Sequence, residues 1–130
     1  MEKKVTVKKH KKVFKKLSHG RIFVNATFNN TIVTVTDLKG EVLCWSSSGT
    51  VGFKGSRKST PFAASVAAKE AVKKARVHGI KDVDIAVKGP GTGKESVVRS
   101  IRTEGLNIMS ITDYTPTPHN GCRRKKLRRI

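Results

Sequence analysis

The alternation of apolar and polar residues first becomes regular at Arg21. Arg21-Ile-Phe-Val-Asn-Ala-Thr-Phe28 and Thr31-Ile-Val-Thr-Val-Thr36 are rich in β-branched and aromatic residues, which suit a half-buried pleated surface. Only Asn29-Asn30 lies between them. Asparagine tolerates the left-handed backbone of a tight turn, so the pair predicts a hairpin. In the second run threonines alternate with Ile and Val, giving a strand with one more polar face. Asp37-Leu-Lys-Gly40 reads as a turn, and Glu41 to Ser46 as a third strand carrying Cys44 and Trp45. Three consecutive strands make an antiparallel meander.

The period then changes. Ala64, Ala67, Ala68, Ala71, Val72 and Ala75 recur at spacings of three and four, which is one face of a helix from Pro61 to about Val77. A stripe built mainly of alanine lets such a helix lie close to a sheet. Thr60 supplies a hydroxyl N-cap, Pro61 suits the first helical position, Glu70 can pair with Lys74, and Gly79 ends the helix. Asp82 to Lys88 is a fourth strand with Val83, Ile85 and Val87 on one face. The loop Gly89-Pro-Gly-Thr-Gly93 leads into a helix from about Lys94 to Glu104, with Val97, Val98 and Ile101 inward, and Leu106 to Tyr114 carries the last strand. Strand–helix–strand–helix–strand order favours right-handed crossovers and parallel pairing. The expected object is an α/β domain with a five-stranded mixed sheet and a helix on each face. It would occupy residues 20–115, between a basic arm (1–19) and a proline-containing basic tail (116–130).

Charge changes the picture more than hydropathy does. Lysine and arginine total 28 against nine acids, a net of +19, and hydrophobic residues are only 36% of the chain. Residues 1–19 and 123–130 supply +13 of that excess. A cationic extension at each end of a moderately basic core is the electrostatic footprint of a nucleic-acid binder. Anionic lipid is a weaker match, because neither arm offers an apolar face and no acylation motif is present. No apolar run is long enough to span a bilayer, and the N-terminus lacks a signal-peptide core. Cys44 and Cys122 lie far apart without paired spacing, which fits a reducing compartment and neither a disulfide framework nor a zinc site.

The densest candidate for binding is Gly49 to Ala64, GTVGFKGSRKSTPFAA. Glycines allow close backbone approach, Lys54, Arg57 and Lys58 place three cations in five residues, and a helix N-terminus follows. Together these describe a seat for a phosphate backbone. Gly89 to Lys94 (GPGTGK) invites a nucleotide-binding reading, but Lys88 stands where the first glycine is needed and Glu95 where a Ser or Thr is needed. What survives is a run of bare amides beside Lys94. Should both loops leave the same edge of the sheet, they form one joint phosphate-binding edge; Arg99 and Arg102, three apart on the second helix, either extend it or form a solvated face. Asp82 and Asp84 have no histidine or third carboxylate in motif spacing, the four histidines are scattered, and no nucleophile context is present. Neither catalysis, nor a metal, nor a cofactor is therefore expected. The tail brings six cations in its last eight residues, suited to bidentate phosphate contacts. Aromatic residues are few, at 5%, so base stacking on the sheet is not expected to be the main mode.

The same segments resemble the small-subunit ribosomal protein eleven family of bacteria and plastids. The residues that carry the resemblance are Phe28-Asn-Asn-Thr-Ile-Val-Thr-Val-Thr-Asp37, Gly52 to Ala64, Lys88 to Ser96, and Ile111 to Arg123. The tail departs, with Arg124 and Lys125 where the family usually has two prolines. The resemblance implies a ribonuclease-H-like α/β/α three-layer sandwich with strand order 3-2-1-4-5 and strand two antiparallel. It implies a structural protein of the small ribosomal subunit, seated on the platform near the messenger exit region. Its partners would be ribosomal RNA and neighbouring small-subunit proteins, with messenger RNA nearby and neither membrane nor DNA. The first strand carries no carboxylate, so no nuclease metal site comes with the fold. By matching position, the RNA-contacting candidates are Asn29, Asn30, Lys54, Gly55, Arg57, Lys58, Lys94, His119, Asn120, Arg123, Arg124, Lys125, Lys126, Arg128 and Arg129. A ribosome in a bacterial cytoplasm or a plastid stroma is the expected location, with the lysine-heavy composition favouring the plastid. The rivals are a histone-like DNA architectural protein, which would show little preference for folded RNA, and a nucleotide-dependent enzyme, which ATP or GTP would stabilise.

Overall fold

The structure is a computed structural model that describes residues 15–130, so the arm before Lys15, with Val5, Val7, Val13 and Phe14, lies outside it. The elements are β1 (His19–Ala26), β2 (Thr31–Thr36), β3 (Val42–Ser47), α1 (Pro61–Val77), β4 (Asp82–Lys88), α2 (Gly93–Thr103) and β5 (Asn107–Asp113), with a 3-10 turn at Gly55–Ser59. They form one sheet in the order β3-β2-β1-β4-β5. β2 runs antiparallel to both neighbours, while β1–β4 and β4–β5 pair parallel. The expected strand order and mixed pairing are both found.

The layering differs from expectation. α1 and α2 pack against each other on the same face of the sheet, so the described residues form two layers rather than three. Handedness explains it. The crossovers β3-α1-β4 and β4-α2-β5 advance across the sheet in the same direction. Two right-handed connections that advance the same way must cover the same face. β1 shows the consequence, with Gly20, Ile22, Val24 and Ala26 buried and Arg21, Phe23 and Asn25 exposed between them. The core is correspondingly one-sided. Ile22, Val24, Val33, Val35, Val83 and Ile85 meet the alanine stripe of α1 and Val97 and Ile101 of α2. On the open face Phe23, Thr34 and Trp45 stand in one row across β1, β2 and β3, and both rings are exposed.

Three local features refine the sequence reading. β1 stops at Ala26, leaving Thr27 to Asn30 as a four-residue connection. The Thr27 hydroxyl accepts from the N–H groups of Asn29 and Asn30, and Phe28 is left exposed. Neither Asn adopts positive φ, so the left-handed turn expected there is replaced by a side-chain-capped one. Leu17, assigned to the arm by its sequence, packs against the core, and its N–H donates to the His78 carbonyl at 2.9 Å. In β2, Thr31 is buried and Ile32 faces out, because the register with β1 fixes which alternate set meets the helices.

Candidate nucleic-acid interface

β1, β3, β4 and β5 all point the same way, so their carboxyl ends share one edge of the sheet. The turn at 27–30, the loop from Ser48 to Thr60, the glycine loop at 89–92 and the root of the tail therefore meet along that edge. The joint edge anticipated from the two loops exists, and two further candidate segments reach it.

The loop before α1 is ordered by its own hydroxyls. Ser47 and Thr50 bond reciprocally through side chain and backbone. Gly52 and Gly55 have φ of 104° and 59°, and a Cβ on either would meet nothing within 4 Å, so backbone conformation alone calls for glycine there. The 3-10 turn that follows carries Arg57 and Lys58 and buries no residue. Thr60 caps α1 as expected, its Oγ1 accepting from the Ala63 N–H at 3.3 Å with Pro61 in the first turn. The Lys58 stem lies over Gly49. Among the described residues, Lys54, Arg57 and Lys58 have no carboxylate partner.

Charge is sorted between the two edges. Asp37, Glu41, Asp82 and Glu104 lie at the opposite edge, where Lys15 pairs with Glu41 and Arg76 with Glu104. Lys15 and Arg76 thus have carboxylate partners at that edge, whereas at the carboxyl edge Lys94 is paired with Asp113 but Lys54, Arg57 and Lys58 are not paired among the described residues. An edge carrying unpaired cations attracts a polyanion from solution.

The second glycine loop has a different role from the one its sequence suggests. The Gly91 N–H donates to the Ala26 carbonyl at 2.9 Å and the Gly89 N–H to Thr115 Oγ1 at 3.2 Å, so these amides are not bare. A Cβ at Gly89 would stand 2.1 Å from Ala26 O, one at Gly91 2.6 Å from Thr27 O, and one at Gly93 2.5 Å from Thr31 Oγ1. The loop is clamped beneath the β1–β2 turn, and its glycines serve backbone-on-backbone packing. It positions Asn29 and Asn30 more than it binds anything itself. Lys94 extends from it to Asp113 at 3.3 Å.

That ion pair roots the tail. The Tyr114 N–H donates to the Val87 carbonyl at 2.8 Å, and Thr115 donates to Asp113 through both Oγ1 (2.6 Å) and N–H (2.9 Å). These two bonds, and then Lys94, hold the Asp113 carboxyl at about 2. Because the folded value lies below the unfolded one, the stabilisation is present above about pH 4 and disappears as pH falls through about 2. A carbon-13 NMR titration should place the Asp113 midpoint near 2, and Thr115→Ala should move it up toward 3.8. An unmoved midpoint in that variant would refute the assignment.

Beyond Thr115 the chain has no regular structure and every residue is exposed, so His119, Asn120, Arg123, Arg124, Lys125, Lys126, Arg128 and Arg129 project freely from the edge. Asn120 has φ of 53°, a conformation asparagine accepts. Arg102 lies in the last turn of α2, away from the site, so that helix adds little to the edge. Lys88, exposed at the end of β4, was legible from the strand's alternation and belongs with the cations here. His19 and Asp84, far apart in sequence, come together at 2.9 Å, with Ser110 also donating to Asp84 at 2.8 Å. Those bonds lower the Asp84 carboxyl, Ser110 first. No group of three or more His, Cys, Asp or Glu side chains able to hold a metal occurs among the described residues.

Fold and edge together define a small basic α/β protein that presents unpaired cations, short polar side chains and an exposed tail of lysines and arginines to a polyanion. Residues 20–129 match the family described as ribosomal protein S11, and the chain belongs to that family. It is accordingly a structural component of the small ribosomal subunit that binds ribosomal RNA and other ribosomal proteins.

Proposed function

We propose that the chain sits on the platform of the small subunit near the messenger exit region and grips ribosomal RNA through its phosphate backbone at the carboxyl edge of the sheet. The observation that carries this reading is the convergence on one edge of Asn29, Asn30, Lys54, Gly55, Arg57, Lys58 and Lys94 with the tail from His119 to Arg129, where Lys54, Arg57 and Lys58 have no carboxylate partner among the described residues. The basic arm (1–19) and tail (116–130) act as extensions of a core (20–115) and thread into the same RNA. Messenger RNA passes nearby, and neither a membrane nor DNA is a partner. The protein makes and breaks no bond. Its place is the ribosome of a bacterial cytoplasm or, as the lysine-heavy composition favours, of a plastid stroma.

Arg57→Ala combined with Lys58→Ala tests the reading. Each lost phosphate contact removes roughly 0.7–0.9 from the salt slope, so the pair should lower it by about 1.5 and weaken binding to small-subunit ribosomal RNA by about 10- to 100-fold at low salt. The circular-dichroism spectrum should not change, since the turn buries nothing. Wild-type affinity with an unchanged slope would remove the carboxyl edge as the RNA seat.

A further inference from the structure

One feature beside the cationic loop has no role in phosphate binding. Phe62 occupies the first turn of α1 yet is 70% exposed, outside the buried stripe that begins at Ala63 and Ala64. Its ring meets Phe53 edge to face, with centroids 5.9 Å apart and planes at 83°. Phe53 is held in turn by its N–H, which donates to the Ser48 carbonyl at 3.3 Å. With Val51, Gly52, Lys54 and Arg57, Phe53 lines an open cup of about 450 Å³. A large apolar ring on a rigid helix turn adds nothing to the core here. It is braced by Phe53, whose cup is bordered by Lys54 and Arg57, cations with no carboxylate partner among the described residues.

We propose that an unpaired RNA base stacks on Phe62, with its flanking phosphates against Lys54, Arg57 and Lys58. This rests on the reading of the edge as an RNA seat and adds the chemical class that it selects, a looped-out or bulged nucleotide rather than uninterrupted duplex. An aromatic face takes any base, because every base has a π-face, but only one free of its own helical stack. The neighbouring cations favour nucleic acid over the apolar segment of a protein, which would bring no charge to neutralise them. Phosphate contacts alone position without discriminating. The ring converts a general polyanion seat into one that recognises a local break in RNA structure.

The test compares full-length chains carrying Phe62→Ala, Phe62→Leu and Phe62→Trp for binding to a small-subunit ribosomal RNA transcript across a salt series. A second transcript containing 4-thiouridine is irradiated, and the crosslinked peptide is mapped. Phe62→Ala should lose about 10- to 100-fold in affinity at every salt concentration with an unchanged slope, Phe62→Leu should stay weak, and Phe62→Trp should recover. The crosslink should fall on the peptide containing residue 62. Full affinity of Phe62→Ala, or recovery by Leu as good as by Trp, overturns the stacking proposal. Loss of a ribosomal protein from reconstituted subunits at undiminished RNA affinity also overturns it, and assigns the ring to a protein contact. Failure is distinguishable from failure of the wider reading. If Arg57→Ala with Lys58→Ala still weakens binding, the RNA seat stands without the stack. If neither change matters, both fall.

Discussion

Gly89→Ala should lower the melting temperature by about 10–20 °C. Two costs combine. The native φ of 106° is a conformation that L side chains rarely adopt, and strain there is on the order of 1–3 kcal/mol. The added methyl would also stand 2.1 Å from the carbonyl oxygen of Ala26 and 3.0 Å from its carbon. Backbone cannot step aside as a side-chain tip can, because Ala26 is the last residue of a strand paired on both sides and its oxygen already accepts from Gly91. Overpacking of this kind costs about 1–3 kcal/mol or more. Native stabilities are only about 5–15 kcal/mol, so the sum is a large share of the total. Gly121→Ala is the matched control, since its Cβ meets nothing within 4 Å. Thermal melts followed by circular dichroism would decide it. A Gly89→Ala protein that melts with the parent would show that the loop is not clamped.

Truncation after Cys122 should have the opposite signature, a large loss of binding with no loss of stability. The segment 123–130 carries six cations, all exposed and outside any helix or strand. If those cations meet phosphates, the salt slope should fall by about 4–5 and affinity by on the order of 10³-fold at low salt. The melting temperature should stay with that of the full chain, because the tail's anchor at Tyr114 and Thr115 is retained. Filter binding to small-subunit ribosomal RNA over a salt series gives both quantities. A truncated chain with the parental slope would reduce the tail to a solubilising appendage.

The elements most legible in the sequence were those defined by local chemistry. Thr60-Pro61, the alanine spacing and Gly79 delimit α1 as Pro61–Val77, and the period-two run delimits β4 as Asp82–Lys88. What escaped depended on partners distant in the chain. Two right-handed crossovers advancing in one direction require both helices on one side, and counting helices per sheet face without following that direction gives a third layer that the described residues do not form. Thr27 reads as a strand residue by propensity, yet its hydroxyl closes the turn. Nothing in GPGTGK says that Ala26 presses against it, so its glycines read as phosphate-binding when they serve packing. For the candidate site the residue types were readable and their assembly was conditional. Only the shared direction of four strands gathers segments from positions 29, 57, 94 and 119 onward along one edge. Phe62 carries no signal of its own in the sequence, because an aromatic next to an alanine stripe reads as core, yet it stands exposed.

The alanine stripe has a thermodynamic corollary. Six of the seven buried residues of α1 are alanines, each contributing a single methyl at about 0.8 kcal/mol, so the longest helix adheres to its sheet by the smallest side chains that can be buried. A molecule so thinly cemented draws on its ligand for solidity, gaining roughly 2.7 kcal/mol when the ligand stands a hundredfold above the dissociation constant. Copies that reach the nascent particle should become durable, and orphaned copies should be early prey for proteases, which keeps supply matched to assembly.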